Sequence, residues 1–156
     1  PSSAASDVYK RQDMDIFSQE KRSQVMSHVR NRDTRPEKII RSILHKSGFR
    51  FRIQRKDLPG KPDIVLPKYK TIIFVHGCFW HQHEGCKKAL PPKSNVSFWL
   101  EKFRKNKERD RKVIRTLQES GWKVIVVWQC EIPKIKNNPE IIKKLISEGV
   151  DENFIL

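Results

Sequence analysis

The chain has no long hydrophobic run, few cysteines and a shortage of acidic residues, and each deficit excludes a class of protein. No apolar stretch approaches the ~18 residues needed to cross a bilayer, and no charged-then-apolar leader opens the sequence. Three cysteines cannot all enter intramolecular disulfides, which argues against a secreted disulfide scaffold. A reduced, cytoplasmic location with thiols available to a metal is expected instead. Asp and Glu number 18 against 33 Lys and Arg, leaving a net charge of +15 and a pI near 10.0. A surplus of that size points to a polyanionic partner, most commonly nucleic acid, although a merely soluble basic protein has the same composition.

At 156 residues the chain suits one domain with a real core. Residues 1–13 lack apolar periodicity and read like translated adaptor sequence, so the domain is taken as residues 14–156, with Met14 as a natural start. Residues 18–31 carry only Val25, Met26 and Val29 as apolar anchors, which suits a basic arm laid on a partner. Thr34-Arg35-Pro36-Glu37 has capping-box spacing and opens a helix that Gly48 ends. Phe49–Ile53 alternates like a half-buried strand. Strands are also expected at Ile64–Leu66, Thr71–Val75 and Lys123–Trp128. A long helix capped by Asn95 should span about residues 96–120, with Phe98, Trp99, Phe103, Val113, Ile114 and Leu117 along its apolar stripe. Asn138-Pro139-Glu140 should open a last helix. The order implies an α/β fold with a small central mixed sheet flanked by helices.

Residues 76–86, HGCFWHQHEGC, concentrate the chemistry. Cys78, His83 and Cys86 follow a C-x4-H-x2-C spacing, and Cys130 lies just past the last strand. Together they supply the four N and S ligands of a closed structural Zn²⁺ site, with His81 as an alternative to His83 and three unrelated buried thiols as the bland reading. A hairpin between Asp63 and His76 would bring the Asp63 carboxylate, the Val75 carbonyl and His76 to one sheet edge, a usual anchor for Mg²⁺. Turn chemistry alone also accounts for Pro62-Asp63. His81 can serve as a proton acceptor. Glu37 has a capping role available, and Asp110 among its basic neighbours has the look of a solvated helix charge. Phe79 and Trp80 are adjacent on a polar loop, so at most one can enter the core, and an exposed aromatic beside a basic face suits stacking against bases.

Taken together, these residues resemble the very-short-patch repair (Vsr) endonucleases, bacterial enzymes that nick DNA at T·G mismatches. The resemblance runs from about Gln19 to Ile132. It is carried by Arg22-Ser23 with Met26, Asp33-Thr34 with Glu37, Leu58–Asp63, Phe74–His81, Phe98–Lys102, Asn106 with Glu108–Asp110, and Gly121-Trp122 through Val127–Cys130. It implies a restriction-endonuclease-like fold and Mg²⁺ held by Asp63 and the Val75 carbonyl. It further implies His81 as general base supported by Glu37, His76 and Asp110, and structural Zn²⁺ on Cys78, His83, Cys86 and Cys130. Phe79, Trp80 and Trp99 would enter the duplex from the major groove and Met26 from the minor groove. Lys102, Lys105 and Arg109 lie on the basic helix expected to meet phosphates. Some members have Thr at the position of Val75, and some have a longer histidine run where this chain has His81-Gln82-His83. The implied reaction is one cut 5′ to the mispaired thymine, made by a monomer on double-stranded DNA, with mismatch-repair proteins as further partners. Two rivals fit the same charge: a restriction-like nuclease with no mismatch preference, and a non-catalytic zinc-stabilised DNA-binding module.

Overall fold

The computed structural model describes residues 33–148. The expected tail at residues 1–13, the start at Met14 and the basic arm at residues 18–31 with Met26 lie outside the described residues. Helix α1, Arg35–Lys46, begins where expected: the Thr34 side chain accepts the Glu37 N–H at 3.4 Å, and Pro36 occupies the first turn. The reciprocal half of the box is displaced by one residue. Glu37 Oε2 accepts from the N–H of Asp33 at 2.9 Å, rather than from Thr34. At the other end Gly48 adopts φ 86° and the Phe49 N–H closes onto Leu44, ending the helix in the left-handed turn that glycine tolerates best.

Three strands form the sheet in the order β1 (Ile64–Leu66), β2 (Thr71–His76), β3 (Lys123–Trp128). β1 pairs antiparallel with β2, placing Ile64 opposite Ile73, and β2 runs parallel to β3, placing His76 opposite Trp128. The sheet is mixed, as expected, because a short turn joins β1 to β2 while the long helix α2, Val96–Glu119, makes the parallel crossover. Strand alternation divides the core between two faces. Ile64, Leu66, Ile73, Ile125 and Val127 pack with Ile40 and Leu44 of α1 and with α3 (Ile132–Asn137) and α4 (Glu140–Glu148). Val65, Ile72, Phe74, Val124 and Val126 pack with Ile114 and Leu117 of α2. Among the described residues no helix is long and apolar enough to cross a membrane.

Four expectations need correction. Phe49–Ile53 is not a strand but a single bridge, Arg52 to Val65. Phe49 and Phe51 turn inward, yet Ile53 is exposed and Gln54 adopts φ 55°, so pairing cannot extend. The C-terminal segment forms two helices, because a helix at Ile132–Asn137 precedes the expected one. Asn95 occupies the cap position of α2 with φ 52° and no side-chain hydrogen bond, contributing its tolerance of the left-handed region rather than its amide. Phe98 is not on the buried stripe; it is 60% exposed.

The turn that delivers Asp63 is seated on α2 through Gly60. Its φ is 76°, and a Cβ there would run into the Val113 side chain. Gly60→Ala should therefore destabilise the fold by roughly 2–4 kcal/mol, combining left-handed strain with overpacking. Urea unfolding measures this, and adding Val113→Ala should recover the overpacking share only.

Candidate active site and metal cluster

A cavity of about 450 Å³ opens where β1 begins and β2 ends. The first turn of α1 contributes Glu37 to its wall, the turn before β1 contributes Lys61 and Asp63, and the end of β2 contributes Val75 and His76. The following loop adds Trp80 and His81, and α2 adds Asn106, Arg109 and Asp110. Glu37, Asp63, His76, His81 and Asp110, far apart in sequence, therefore face one space.

The carboxylate side is held by backbone. Asp63 Oδ2 accepts the Val75 N–H at 2.7 Å, so the side chain continues the β1–β2 ladder beyond its last paired residue. In an extended strand the N–H and C=O of one residue leave on the same edge, which directs the Val75 carbonyl toward Asp63 as well. Glu37 is buried, and burial raises its pKa. Asp63 is pushed up to about 7, first by burial and then by the neighbouring Glu37 charge, against the opposing pull of the Val75 N–H and Arg41. Two carboxyl groups sharing a dry corner form an oxygen donor set that a hard divalent cation would neutralise.

The imidazole side is organised differently. A carboxylate only accepts, so the 2.6 Å contact between His81 Nδ1 and Asp110 Oδ2 fixes the proton on Nδ1 and leaves Nε2 as the basic lone pair. His76 lies parallel to His81, with ring centroids 3.9 Å apart and planes 5° from coplanar. Burial first, then His81, depresses the His76 pKa to about 3, so this ring is neutral. His76, His81 and Asp110 have ligand atoms within 4.8 Å of one another, which by proximity suggests a metal. In-plane lone pairs of stacked rings run side by side and do not converge, so the trio suits proton handling better than coordination.

A second cluster sits behind the loop. Cys78, His83, Cys86 and Cys130 place their ligand atoms within 4.8 Å of one another, with His83 Nδ1 3.8 Å from Cys78 Sγ and 3.3 Å from Cys130 Sγ. A tetrahedron with M–S of about 2.3 Å and M–N of about 2.0 Å has S···N edges near 3.5 Å, so the four can hold a metal ion. His83, not the alternative His81, occupies the cluster, and it stacks on Trp128 at 4.2 Å. No disulfide joins the three thiols. Without a cation, burial pushes the Cys78 thiol up to about 12.

Of the adjacent pair, only Phe79 enters the core, and Trp99 lies on the buried stripe of α2, both as expected. Phe79 and Trp99 are 1% and 5% exposed and form a cluster with Phe103, onto which half-buried Trp80 packs. Phe79 meets the rings of Trp80, Trp99 and Phe103 at 5.1–5.5 Å and steep angles. Neither Phe79 nor Trp99 is the exposed surface ring a stacking role needs; the exposed ring is Phe98 beside them. Lys102 Nζ stands 5.8 Å from the Trp80 ring, Lys105 is exposed and 3.9 Å from Glu101, and Arg109 borders the cavity.

Three residues were given no role from sequence. The Asn106 side-chain amide donates to the Trp80 carbonyl at 3.0 Å, tying the loop to α2. Trp128 stacks on His83 and stands edge-on to His76 at 5.3 Å, linking the two clusters. Arg41 pairs with Glu37. Asn106 and Trp128 stood among the residues that carry the resemblance, and Arg41 left only its i,i+4 spacing from Glu37.

Two outcomes follow from this geometry. Cys130→Ser should lower the melting temperature and abolish the shift that a chelator produces in the unsubstituted protein; differential scanning fluorimetry with and without chelator checks both. For the carboxylates, the raised Asp63 pKa means the folded state binds its proton more tightly than the unfolded chain, so this group withdraws stability as pH rises from 3.8 to about 7. A divalent cation needs the ionised form, so calorimetric Mn²⁺ affinity should rise through pH 7 and level off above it; affinity flat across that range would contradict the assignment.

The profile described as DNA mismatch endonuclease Vsr matches residues 14–88. The type II nicking enzyme V.XorIIP of Xanthomonas oryzae is 51% identical over 118 residues, covering 76% of this chain and 86% of that protein. The type II nicking enzyme V.NmeAIP of Neisseria meningitidis is 49% identical over 137 residues, 88% of this chain and 97% of that protein. The DNA mismatch endonuclease Vsr of Escherichia coli is 41% identical over 138 residues, 88% of this chain and 86% of that enzyme. These matches include the turn bearing Asp63 and the loop bearing His81, and the chain belongs to the Vsr family of DNA mismatch endonucleases.

Proposed function

We propose that this chain nicks one strand of duplex DNA 5′ to the thymine of a T·G mismatch by Mg²⁺-dependent hydrolysis, leaving 3′-hydroxyl and 5′-phosphate ends. One observation carries the reading: a carboxylate pair and a His–Asp pair line a single cavity. Asp63 and the Val75 carbonyl would hold Mg²⁺, whose charge would stabilise the oxyanions developing at phosphorus. His81 accepts a proton from the attacking water at Nε2 while Asp110 fixes the ring and balances the imidazolium. His76, neutral and buried, keeps the His81 ring from turning. Lys102, Lys105 and Arg109 meet phosphates.

The thiol-rich donor set of Cys78, His83, Cys86 and Cys130 suits Zn²⁺, and with four protein ligands no position remains for a substrate. The three-stranded mixed sheet between helix layers, with acidic residues at one edge, is consistent with a restriction-endonuclease-like fold. A wobble pair stacks less well than a matched pair, so aromatic insertion beside it costs less than the roughly few kcal/mol of unstacking a matched step, which is a source of selectivity.

The burial of Phe79 and Trp99 favours one competing reading, cutting without mismatch preference, because an inserting ring would first have to leave its cluster. End-labelled T·G and matched duplexes decide between them. The unsubstituted protein should cut the T·G strand at least tenfold faster. Asp63→Ala and His81→Ala should each slow cutting by at least about 100-fold, with metal-free DNA affinity within threefold of the parent. Full-rate cutting by Asp63→Ala would remove the mechanism, and equal cutting of both duplexes would remove the mismatch preference.

A further inference from the structure

Glu37 is the most buried of the five residues facing the cavity that carry ionisable side chains in the proposed chemistry, and it does not stand alone. One turn along α1, Arg41 sends Nη2 to Glu37 Oε2 at 3.1 Å and Nη1 to Asp33 Oδ1 at 2.7 Å. The Arg41 side chain is 15% exposed. The same Glu37 oxygen also accepts the Asp33 N–H at 2.9 Å, from a residue held at φ 52°, where a non-glycine backbone is strained. Oε2 is thus gripped from two directions by one short segment, while the carboxyl group remains on the cavity wall beside Asp63.

We propose that Arg41 is a positioning residue of this site. Its two-pronged contact to Asp33 and Glu37 fixes the Glu37 carboxylate beside Asp63, so that the acidic wall of the cavity is set before DNA arrives. This inference rests on the proposed reaction for its consequence in rate, and on geometry alone for its consequence in Glu37 position.

Several observations support it. Ionised together, Glu37 and Asp63 repel each other, and a Glu37 without Arg41 would be free to leave Asp63. Arg41 opposes that departure, because its charge acts favourably on both groups. A planar guanidinium can bridge two carboxylates in a fixed fork, which an ammonium cannot. Among the described residues the buried Arg41 Nε has no hydrogen-bond partner, so the guanidinium is oriented for its two carboxylates.

The structural alternative is an ion pair that only stabilises the start of α1. The two differ in what they do to chemistry per folded molecule. Single-turnover nicking is measured on whichever duplex the parent protein cuts, for Arg41→Ala, Arg41→Lys, Glu37→Gln and the Arg41→Ala/Glu37→Gln double variant. Each is assayed below its own melting temperature. Arg41→Ala should lose about 10–100-fold in kcat, the scale of a misplaced catalytic group, with KM and metal-free DNA affinity within threefold. Arg41→Lys should fall between Arg41→Ala and the parent. Because Arg41 acts through Glu37, the double variant should be no slower than Glu37→Gln alone.

Multiplying losses in the double variant, or a parent-like kcat in Arg41→Ala, would overturn the proposal. A crystal structure of Arg41→Ala, or of Arg41→Lys if the alanine variant does not fold, tests the claim without activity. The alanine variant should lose the single Glu37 position, and the lysine variant should spread it. A Glu37 carboxylate unmoved beside Asp63 would overturn the proposal even if the parent nicks normally. Should the parent cut no duplex, the proposed reaction fails, and the position of Glu37 still decides the role of Arg41.

Discussion

The site depends on four side chains, drawn from two segments, that come close enough to share one metal ion. Cys78, His83 and Cys86 lie on the loop leaving β2, and Cys130 lies beyond the end of β3, so the cluster can close only if those two parallel strands are in register. His81 sits inside the loop that this cluster draws in, between the candidate ligands Cys78 and His83. Its ring is then trapped between His76, which β2 carries, and Asp110, which α2 carries. A loop built of turns after β2 would otherwise be a poor platform for a side chain that must be placed to within a fraction of an ångström. Asn106 reinforces it by holding the Trp80 carbonyl, and Trp128 packs against both clusters.

The opposite wall of the cavity obeys a different economy. A half-buried Asp63 next to a buried Glu37 lowers stability at neutral pH, because burial first and then the Glu37 charge disfavour ionisation of Asp63. The fold tolerates the pair by supplying the Val75 N–H to one and Arg41 with the Asp33 N–H to the other. Carboxyl groups whose ionisation is disfavoured, kept in a cleft, fit a functional site better than a structural one. The His–Asp side is quieter, its protons assigned by an acceptor-only carboxylate and by the burial of His76.

Much of this was legible from sequence because the signals were local. Thr34 with Glu37, Gly48, and the runs Thr71–Val75 and Lys123–Trp128 encode caps and strands in their own few residues, and three cysteines with one histidine match a ligand set outright. What sequence concealed depended on tertiary choices. Phe49–Ile53 has strand periodicity, yet Gln54 turns away and denies it a partner beyond Arg52. Phe98 and Trp99 are adjacent on α2, and only packing against Phe79 and Phe103 decides that Trp99 turns in and Phe98 out. Glu37 had a sufficient capping explanation in its own few residues, and only the resemblance put it in the site. Arg41 was one basic residue among 33 until its two carboxylate partners were seen.

The four-residue cluster as a clamp on its loop is best tested by measuring metal content and nicking on the same sample. With Mg²⁺ in excess, protein carrying one zinc per chain should nick, protein stripped of zinc by a thiophilic chelator should lose at least nine-tenths of that rate, and zinc restored without other additions should return it. Zinc-free protein that remains folded and nicks at the full rate would contradict the account, because His81 would then be held in place without the clamp.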